Sequence, residues 1–316
     1  RQVVYEARSL KPLHAGSNRL SLAPRTAAAS IAKTFCAYAA LRNGLLARDE
    51  VLLCDGDGYK AEGHGRIDVI EALALSCNTF FEKAGARLTW EQFRESCRRL
   101  GNLENRLPEK PASLLGRLDV YAHGSGIKTG FEELACIARA VAFADPEDAA
   151  LSVVRRGWRE AVTRGTARAA DVEGLEVAGK TGTLPDPPWE RKFAAFAPVS
   201  DPRWVVVART AGREGASAAE IAGRVFRNLW AFERGIAMKS LKPPLASNTT
   251  AKVRDRPARY RFAQRAVLVT LVCASVVCRL PGSGRTTQSG GASTPLPATA
   301  LSAEQIDDRI VVLSLI

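Results

Sequence analysis

The feature that most constrains the fold is a change of sequence pattern near residue 145. Before it, apolar residues recur at helical spacing in the segments 31–41, 67–75 and 90–100. After it, β-rich segments separated by proline-containing turns follow at 175–178, 192–198 and 204–208. A last helical pattern covers residues 216–232. We therefore predict an α/β (α+β) fold in which helices flank an antiparallel sheet and one half of the domain is mostly helical.

Composition divides the chain of 316 residues near residue 238. Beyond that point Pro, Ser, Thr and Arg become frequent, and the apolar run 266–278 interrupts them. A helix of that length covers only ~20 Å, less than the ~30 Å hydrocarbon core of a bilayer. We predict one domain over 1–237 and a separate tail over 238–316. The basic residues of 252–265 make the tail either the start of a fused exported segment or a disordered stretch that touches anionic lipid.

Histidine and cysteine usage gives little support to metal or redox chemistry. The three histidines share no spacing with one another, and none of the seven cysteines forms a Cys-x-x-Cys pair. Zinc, iron–sulfur and redox-dithiol sites therefore lack their usual sequence patterns. We therefore expect catalysis without a histidine base.

Ser30 and Lys33 are the first candidate catalytic pair. A serine is a weak nucleophile until a base takes its proton, and a lysine three residues later on a helix lies on the same face. Ser125 and Lys128 repeat this spacing, but in a glycine loop. Ser30 instead begins an apolar helix that would keep Lys33 away from water, as a lysine base requires. The sequence favours the first pair, although the motif alone is weak.

Two further polar segments are candidates for a site. Ser76 and Asn78 follow the second helical segment, where both face a cleft if the chain leaves the helix, and otherwise form a polar helix end. Lys180 to Thr183 follows a strand pattern, where its glycine would let a ligand backbone approach and its lysine and hydroxyls would meet an anion. In a second copy of this pattern, at 128–130, we interpret Thr129 as the cap of the helix 131–143.

The three motifs, Ser-x-x-Lys, Ser-x-Asn and Lys-Thr-Gly, stand in the order found in penicillin-binding proteins and β-lactamases. The chain resembles the transpeptidase domain of penicillin-binding proteins over residues about 20 to 230. Further matching segments are Gly63-His64-Gly65, 71–81, Gly124-Ser125-Gly126, Arg164-Gly165-Thr166-Ala167, 178–183 and Phe196-Ala197-Pro198.

The resemblance implies acyl transfer on peptidoglycan stem peptides that end in D-Ala-D-Ala, with acylation by β-lactams. It also implies that no metal, no organic cofactor and no nucleic-acid partner take part. It makes Ser30 the nucleophile, Lys33 the base, Ser76 the proton relay to the leaving amine, and Asn78 the group that holds Lys33 and the substrate amide. The substrate-binding residues would be Lys180, Thr181, Gly182 and Thr183. The backbone N–H groups of Ser30 and Thr183 would form the oxyanion hole.

The resemblance also implies a place in the cell. The protein would lie in the bacterial envelope, on the extracytoplasmic face of the inner membrane, attached through an N-terminal anchor or the segment 266–278. In an oxidising compartment Cys54 and Cys77 would either form a disulfide or, in the case of Cys77, fill a small buried space. Domains of this family begin with core strands upstream of the nucleophile, and only 29 residues precede Ser30, so we expect the N-terminal part to be truncated and the sheet incomplete.

Two alternatives to a transpeptidase share the same pocket. A serine β-lactamase needs a group that activates the deacylating water, and the Glu-x-x-Leu-Asn and Tyr-Gly-Asn patterns of the two relevant classes are absent. A non-catalytic β-lactam sensor or scaffold would bind without turnover. Two departures from the family pattern, Lys192 to Ala195 before Phe196 and Gly130 in place of a proline, affect substrate fit rather than the nucleophile.

Overall fold

A five-stranded antiparallel sheet forms the centre of the structure, a computed structural model that describes residues 2–15, 24–56, 61–186, 189–212 and 217–235. The strands, numbered along the chain, are β1 (Gln2–Glu6), β2 (Pro12–Ala15), β3 (Thr26–Ala27), β4 (Leu52–Cys54), β5 (Gly65–Ile67), β6 (Lys128–Thr129), β7 (Ala178–Leu184), β8 (Glu190–Ala197) and β9 (Trp204–Ala211). The main sheet has the order β2-β1-β9-β8-β7. The other four strands form two small pairs, β3 with β6 and β4 with β5.

Helices cover both faces of the sheet. They are α1 (Ala32–Arg42), α2 (Val69–Leu75), α3 (Asn78–Gly85), α4 (Trp90–Gly101), α5 (Leu114–Leu118), α6 (Phe131–Ala142), α7 (Ala149–Thr163) and α8 (Ala218–Glu233). Residues 32–40 of α1 are all buried. A helix that is apolar on every side belongs in a core, and α1 lies within the helical half.

Strand β9 shows why both faces of the sheet are covered by helices. Its side chains alternate between two hydrophobic clusters: Val205 and Val207 face the helical half, whereas Val206 and Ala208 face the cluster that contains α8. Burial of both faces explains the nearly continuous apolar run at 204–208, since a one-sided strand would alternate with polar residues. The predicted fold class is confirmed.

The first strand of the meander lies further along the chain than the sequence predicts. We expected it at 175–178, but β7 begins at Ala178 and includes the whole Lys180 to Thr183 segment. A polar, glycine-containing segment has low intrinsic preference for a strand. Here its pairing with β8, from Ala178 opposite Phe196 to Leu184 opposite Glu190, decides the conformation.

Two strands that precede Ser30 belong to the main sheet, and truncation of the N-terminal part stays a prediction. Strand β1 pairs with β9, with Val3 opposite Val207, and β2 pairs with β1. Both precede Ser30 and extend the sheet. A five-residue strand gives little sequence pattern, and only the partner strand 200 residues away fixes its role.

Two local predictions need correction, and one lies outside the described residues. The second helix begins at Val69, where Asp68 caps it, because Ile67 belongs to β5. Thr129 does not cap α6: it lies in β6 and its hydroxyl donates to the carbonyl of Thr26, while the Gly130 N–H donates to Glu133. The tail at 238–316 lies outside the described residues, so its boundary stays a prediction.

Candidate active site

Ser30 lies in a tight 3₁₀ turn, Ala29–Ile31, that leads into the buried helix α1. Ala29 has a φ of 52°, a left-handed conformation that is uncommon outside glycine. The turn is pressed from one side by Gly124, where an added Cβ would lie 2.4 Å from the carbonyl oxygen of Ala29. This packing fixes the backbone on which Ser30 presents its hydroxyl to a cleft.

Lys33 follows one helical turn later and is fully buried. Its Nζ donates to Ser30 Oγ, to Asn78 Oδ1 and to the carbonyl oxygen of Ala122, each at 2.8 Å. Three oxygen atoms therefore surround this nitrogen at equal distance, and one of them belongs to the candidate nucleophile. The contact with Ser30 gives the arrangement expected of a nucleophile and its base.

Ser76 and Asn78 flank the junction of two helices. Helix α2 ends at Leu75, and Ser76 takes a left-handed conformation with a φ of 58°. Cys77 then caps α3, whose first residue is Asn78. The sharp reversal turns both polar side chains toward the cleft, which corresponds to the predicted departure from the helix.

Lys180 lies on β7, the edge strand of the sheet, and is fully buried behind the cleft. Its Nζ donates to Ser76 Oγ at 2.8 Å and to the carbonyl oxygen of Thr181 at 3.2 Å. Burial, followed by the nearby charge of Lys33, lowers the pKa of Lys180 well below its usual value. Two ammonium groups in one water-poor site repel each other, so the neutral form of Lys180 is favoured.

The hydroxyls of Thr181 and Thr183 on β7 line the cleft, whereas Lys33 and Lys180 are buried behind it. Thr181 Oγ1 lies 2.8 Å from Thr166 Oγ1, and the Thr166 N–H is held at 3.1 Å by the carbonyl of Ala74 at the end of α2. The cleft has a volume of about 840 Å³. Among the described residues that line it are Ser30, Ser76, Asn78, Thr166, Thr181 and Thr183.

Gly182 has a packing role that the sequence did not predict. We expected this glycine to admit a ligand backbone, but an added Cβ would point at the nucleophile turn, 3.0 Å from the carbonyl oxygen of Ala28 and 3.1 Å from Ile31 Cγ1. The missing side chain lets β7 run close beside Ser30. Strand and turn therefore hold their positions relative to each other.

The second Ser-x-x-Lys match does not form a comparable pair. Ser125 lines the cleft, but its partner Lys128 is an exposed residue of β6. The residue spacing is the same in both matches. The burial of Lys33 and the exposure of Lys128 distinguish the candidate catalytic pair from the other one.

Sequence reasoning missed several groups near the site. No sequence pattern predicts the role of the Ala122 carbonyl, because every residue has a backbone carbonyl. Thr166 lies in a segment noted only for its family resemblance. In the sequence, Lys192 is a departure from the family pattern that affects substrate fit. In the structure it is buried and donates to Thr26 Oγ1 at 2.6 Å and to the carbonyl of Ala27.

Lys192 belongs to a buried ionic cluster beneath the nucleophile turn. Its Nζ lies 3.4 Å from Glu190 Oε2, and Glu190 also pairs with Arg209. Burial lowers the pKa of Lys192 to about 8, although the charge of Glu190 opposes the change. The cluster ties β8 and β9 to β3, two residues before Ala29.

The structure also brings together three side chains that the sequence separates. Cys54, His64 and Cys77 place their ligating atoms within 4.8 Å of one another, and the two cysteines are free thiols rather than a disulfide. Burial opposes ionisation of Cys54, but hydrogen bonds from the His64 and Gly56 backbone and from the Cys77 and His64 side chains lower its pKa to about 6. The absence of Cys-x-x-Cys therefore did not exclude a metal-ligating cluster, because hairpin and helix junction supply the proximity.

A family model described as the penicillin binding protein transpeptidase domain matches residues 7–142 and 146–231. No curated protein matches the chain significantly.

Solved structures share the fold at low sequence identity. The penicillin-binding protein PBP2 from Helicobacter pylori aligns with a TM-score of 0.61 and 16% identity, over 74% of this chain and 60% of that one. The transpeptidase domain of the FtsI4 D,D-transpeptidase from Legionella pneumophila gives 0.55 and 19%, over 74% and 88% of the two chains. The D,D-transpeptidase domain of a peptidoglycan glycosyltransferase from Eggerthella lenta gives 0.55 and 18%, over 73% and 78%.

Proposed function

Because the chain belongs to the penicillin-binding protein transpeptidase domain family, we propose that it is a peptidoglycan DD-transpeptidase that works through an acyl-enzyme on Ser30. The observation that carries the proposal is the pair of lysines placed on two sides of one cleft. Lys33 contacts Ser30 and Asn78, and Lys180 contacts Ser76. Each hydroxyl thus has a nitrogen base within hydrogen-bond distance.

Acylation begins at Ser30. Its Oγ attacks the carbonyl carbon of the penultimate D-Ala while Lys33 Nζ, in its uncharged amine form, takes the hydroxyl proton. The bond to the terminal D-Ala then breaks, and the leaving amine takes a proton through Ser76. The backbone N–H groups of Ser30 and Thr183 would stabilise the oxyanion. An amine of a second stem peptide resolves the acyl-enzyme into a cross-link, whereas water would give a carboxypeptidase product.

Recognition of the terminal carboxylate falls to β7. Thr181 and Thr183 line the cleft, and Lys180 lies buried behind them. A bound carboxylate near this strand would favour the protonated form of Lys180, because an opposite charge raises the pKa of an amine. Lys180 would take up a proton from solvent as the carboxylate binds and then supply the proton that Ser76 passes to the leaving group.

The sequence motifs favour a transpeptidase over a β-lactamase. The chain lacks the Glu-x-x-Leu-Asn and Tyr-Gly-Asn patterns of the two relevant β-lactamase classes. The family suggests a cell-envelope enzyme with stem peptides and β-lactams as partners, on the extracytoplasmic face of the inner membrane. None of the helices within the described ranges is long and apolar enough to cross a bilayer.

Covalent labelling tests the proposal. Fluorescent penicillin should label the protein, and Ser30→Ala should abolish the label. Ser125→Ala is the matched control, since it changes a cleft serine of the second motif and should keep the label. Labelling that survives Ser30→Ala, or is lost only in Ser125→Ala, contradicts the assignment.

Turnover separates the three functions that share this pocket. A transpeptidase should couple a D-Ala-D-Ala peptide to an added amine and release the penicilloyl group slowly. Rapid hydrolysis of the acyl-enzyme would indicate a β-lactamase. Labelling with no turnover of peptide would indicate a sensor or scaffold.

A further inference from the structure

The cluster of Cys54, His64 and Cys77 lies beside the cleft and has no part in the acyl-transfer scheme. Cys54 ends β4, His64 precedes β5, and Cys77 caps α3 between Ser76 and Asn78. Three different elements therefore deliver three ligating atoms to one point, all within 4.8 Å of one another.

The spacing of these atoms fits a tetrahedral zinc ion. With Zn–S near 2.3 Å and Zn–N near 2.0 Å, neighbouring sulfur and nitrogen ligands lie about 3.5 Å apart and two sulfurs about 3.8 Å apart. Cys54 Sγ and His64 Nδ1 are separated by 3.4 Å. Only a small movement of side chains is needed to place all three around one ion.

The backbone holds the ligands in place before any metal binds. Cys54 pairs with Gly65 across the β4–β5 hairpin. Gly63, with a φ of 72°, packs so closely that an added Cβ would lie 2.2 Å from the Cys54 carbonyl oxygen. Thr79 Oγ1 donates to the Gly56 carbonyl at 2.8 Å, which ties the loop to α3.

We propose that Cys54, His64 and Cys77 bind one Zn²⁺ ion, with water in the fourth tetrahedral position. Two sulfurs and an imidazole are soft and borderline ligands, which select zinc over magnesium or calcium. On binding, each cysteine thiol gives up its proton to solvent, and no electron is transferred. Both sulfurs become metal ligands, so the ion also prevents a Cys54–Cys77 disulfide.

A zinc ion at this site would also affect acyl transfer, an effect that rests on the proposed function. Cys77 stands between Ser76 and Asn78, the residues that contact Lys180 and Lys33. A metal bond to Cys77 would fix the junction of α2 and α3, and with it the spacing of both contacts. Zinc would act here as a positioning element, outside the reacting atoms.

Metal analysis of the purified full chain tests the site. We expect one zinc per chain, removed by a strong chelator and restored by added Zn²⁺. Added Co²⁺ should give thiolate-to-metal charge-transfer absorption. Cys54→Ser, His64→Ala and Cys77→Ser should each weaken zinc binding by at least ~100-fold, since even outer-sphere changes cost 10- to 100-fold. Cys136→Ser, on α6, is the control that should bind one equivalent.

Wild-type measurements keep the proposal testable if the variants fail to fold. Zinc should protect two thiols from a thiol reagent and raise the melting temperature of the metal-free chain. A Cys54–Cys77 disulfide in the unreduced protein, no thiolate absorption with Co²⁺, or equal loss of zinc in Cys136→Ser would overturn the proposal. Ser30→Ala should retain zinc, so failure of the proposed acyl transfer and failure of the metal site are distinguishable.

Discussion

Replacing Gly182 by alanine tests how closely the edge strand approaches the nucleophile. The new Cβ would lie 3.0 Å from the Ala28 carbonyl oxygen, whereas ordinary contact begins at 3.4 Å. Strand and turn would have to separate by about 0.4 Å. A misplacement of 1 Å costs ~10²-fold in rate, so on a logarithmic scale this shift predicts acylation roughly sixfold slower.

The assay is the second-order rate constant of penicillin acylation, measured beside the melting temperature. Gly179→Ala is the matched control on the same strand, because its Cβ would lie 2.4 Å from Phe193 Cζ inside the core. Overpacking of that kind costs ~1–3 kcal/mol, so Gly179→Ala should lower stability more than Gly182→Ala does. Wild-type acylation in Gly182→Ala would refute the close approach. A rate loss above ~10²-fold without loss of stability would favour direct ligand contact instead.

Four further outcomes follow from the same geometry. Lys33→Met should slow acylation by ~10²–10⁴-fold, and an unchanged rate in the folded variant would contradict its role as base. Lys180→Ala should reduce the rate of acylation by a free-acid β-lactam more than the rate with its carboxyl-blocked ester. The same fold-loss of rate with both ligands would argue against a carboxylate role. Lys192 has its pKa lowered from 10.5 to about 8, which makes its charged form cost about 3 kcal/mol on folding. The free energy of unfolding should therefore rise by about 3 kcal/mol between pH 8 and pH 10.5. In that range Lys192 is protonated in the unfolded chain but not in the native one. Urea unfolding should show this rise missing in Lys192→Met, and an identical pH slope would contradict it. A chain that ends at Ser240 should keep its melting temperature and penicillin labelling, and loss of either would place 238–316 within the domain.

Periodicity and motif order carried much of the prediction from sequence. The apolar run of α1 predicted a buried helix, because its apolar residues recur at helical spacing over more residues than a typical buried strand contains. Ser30 and Lys33 are three residues apart on that helical segment, so their proximity follows from helix geometry alone. The strands at 192–198 and 204–208 and the helix at 216–232 were likewise local signals, and they correspond to β8, β9 and α8.

Contacts between distant segments were decided by the tertiary structure. Strand β7 takes its bounds from pairing with β8, because the strand preference of its two threonines is offset by its two glycines and its lysine. The burial that distinguishes Lys33 from Lys128 depends on neighbours far along the chain. Cys54, His64 and Cys77 meet because a hairpin and a helix junction fold together. A sequence states its side chains and their local spacing, but proximity across a fold is a property of packing, which only the folded chain possesses.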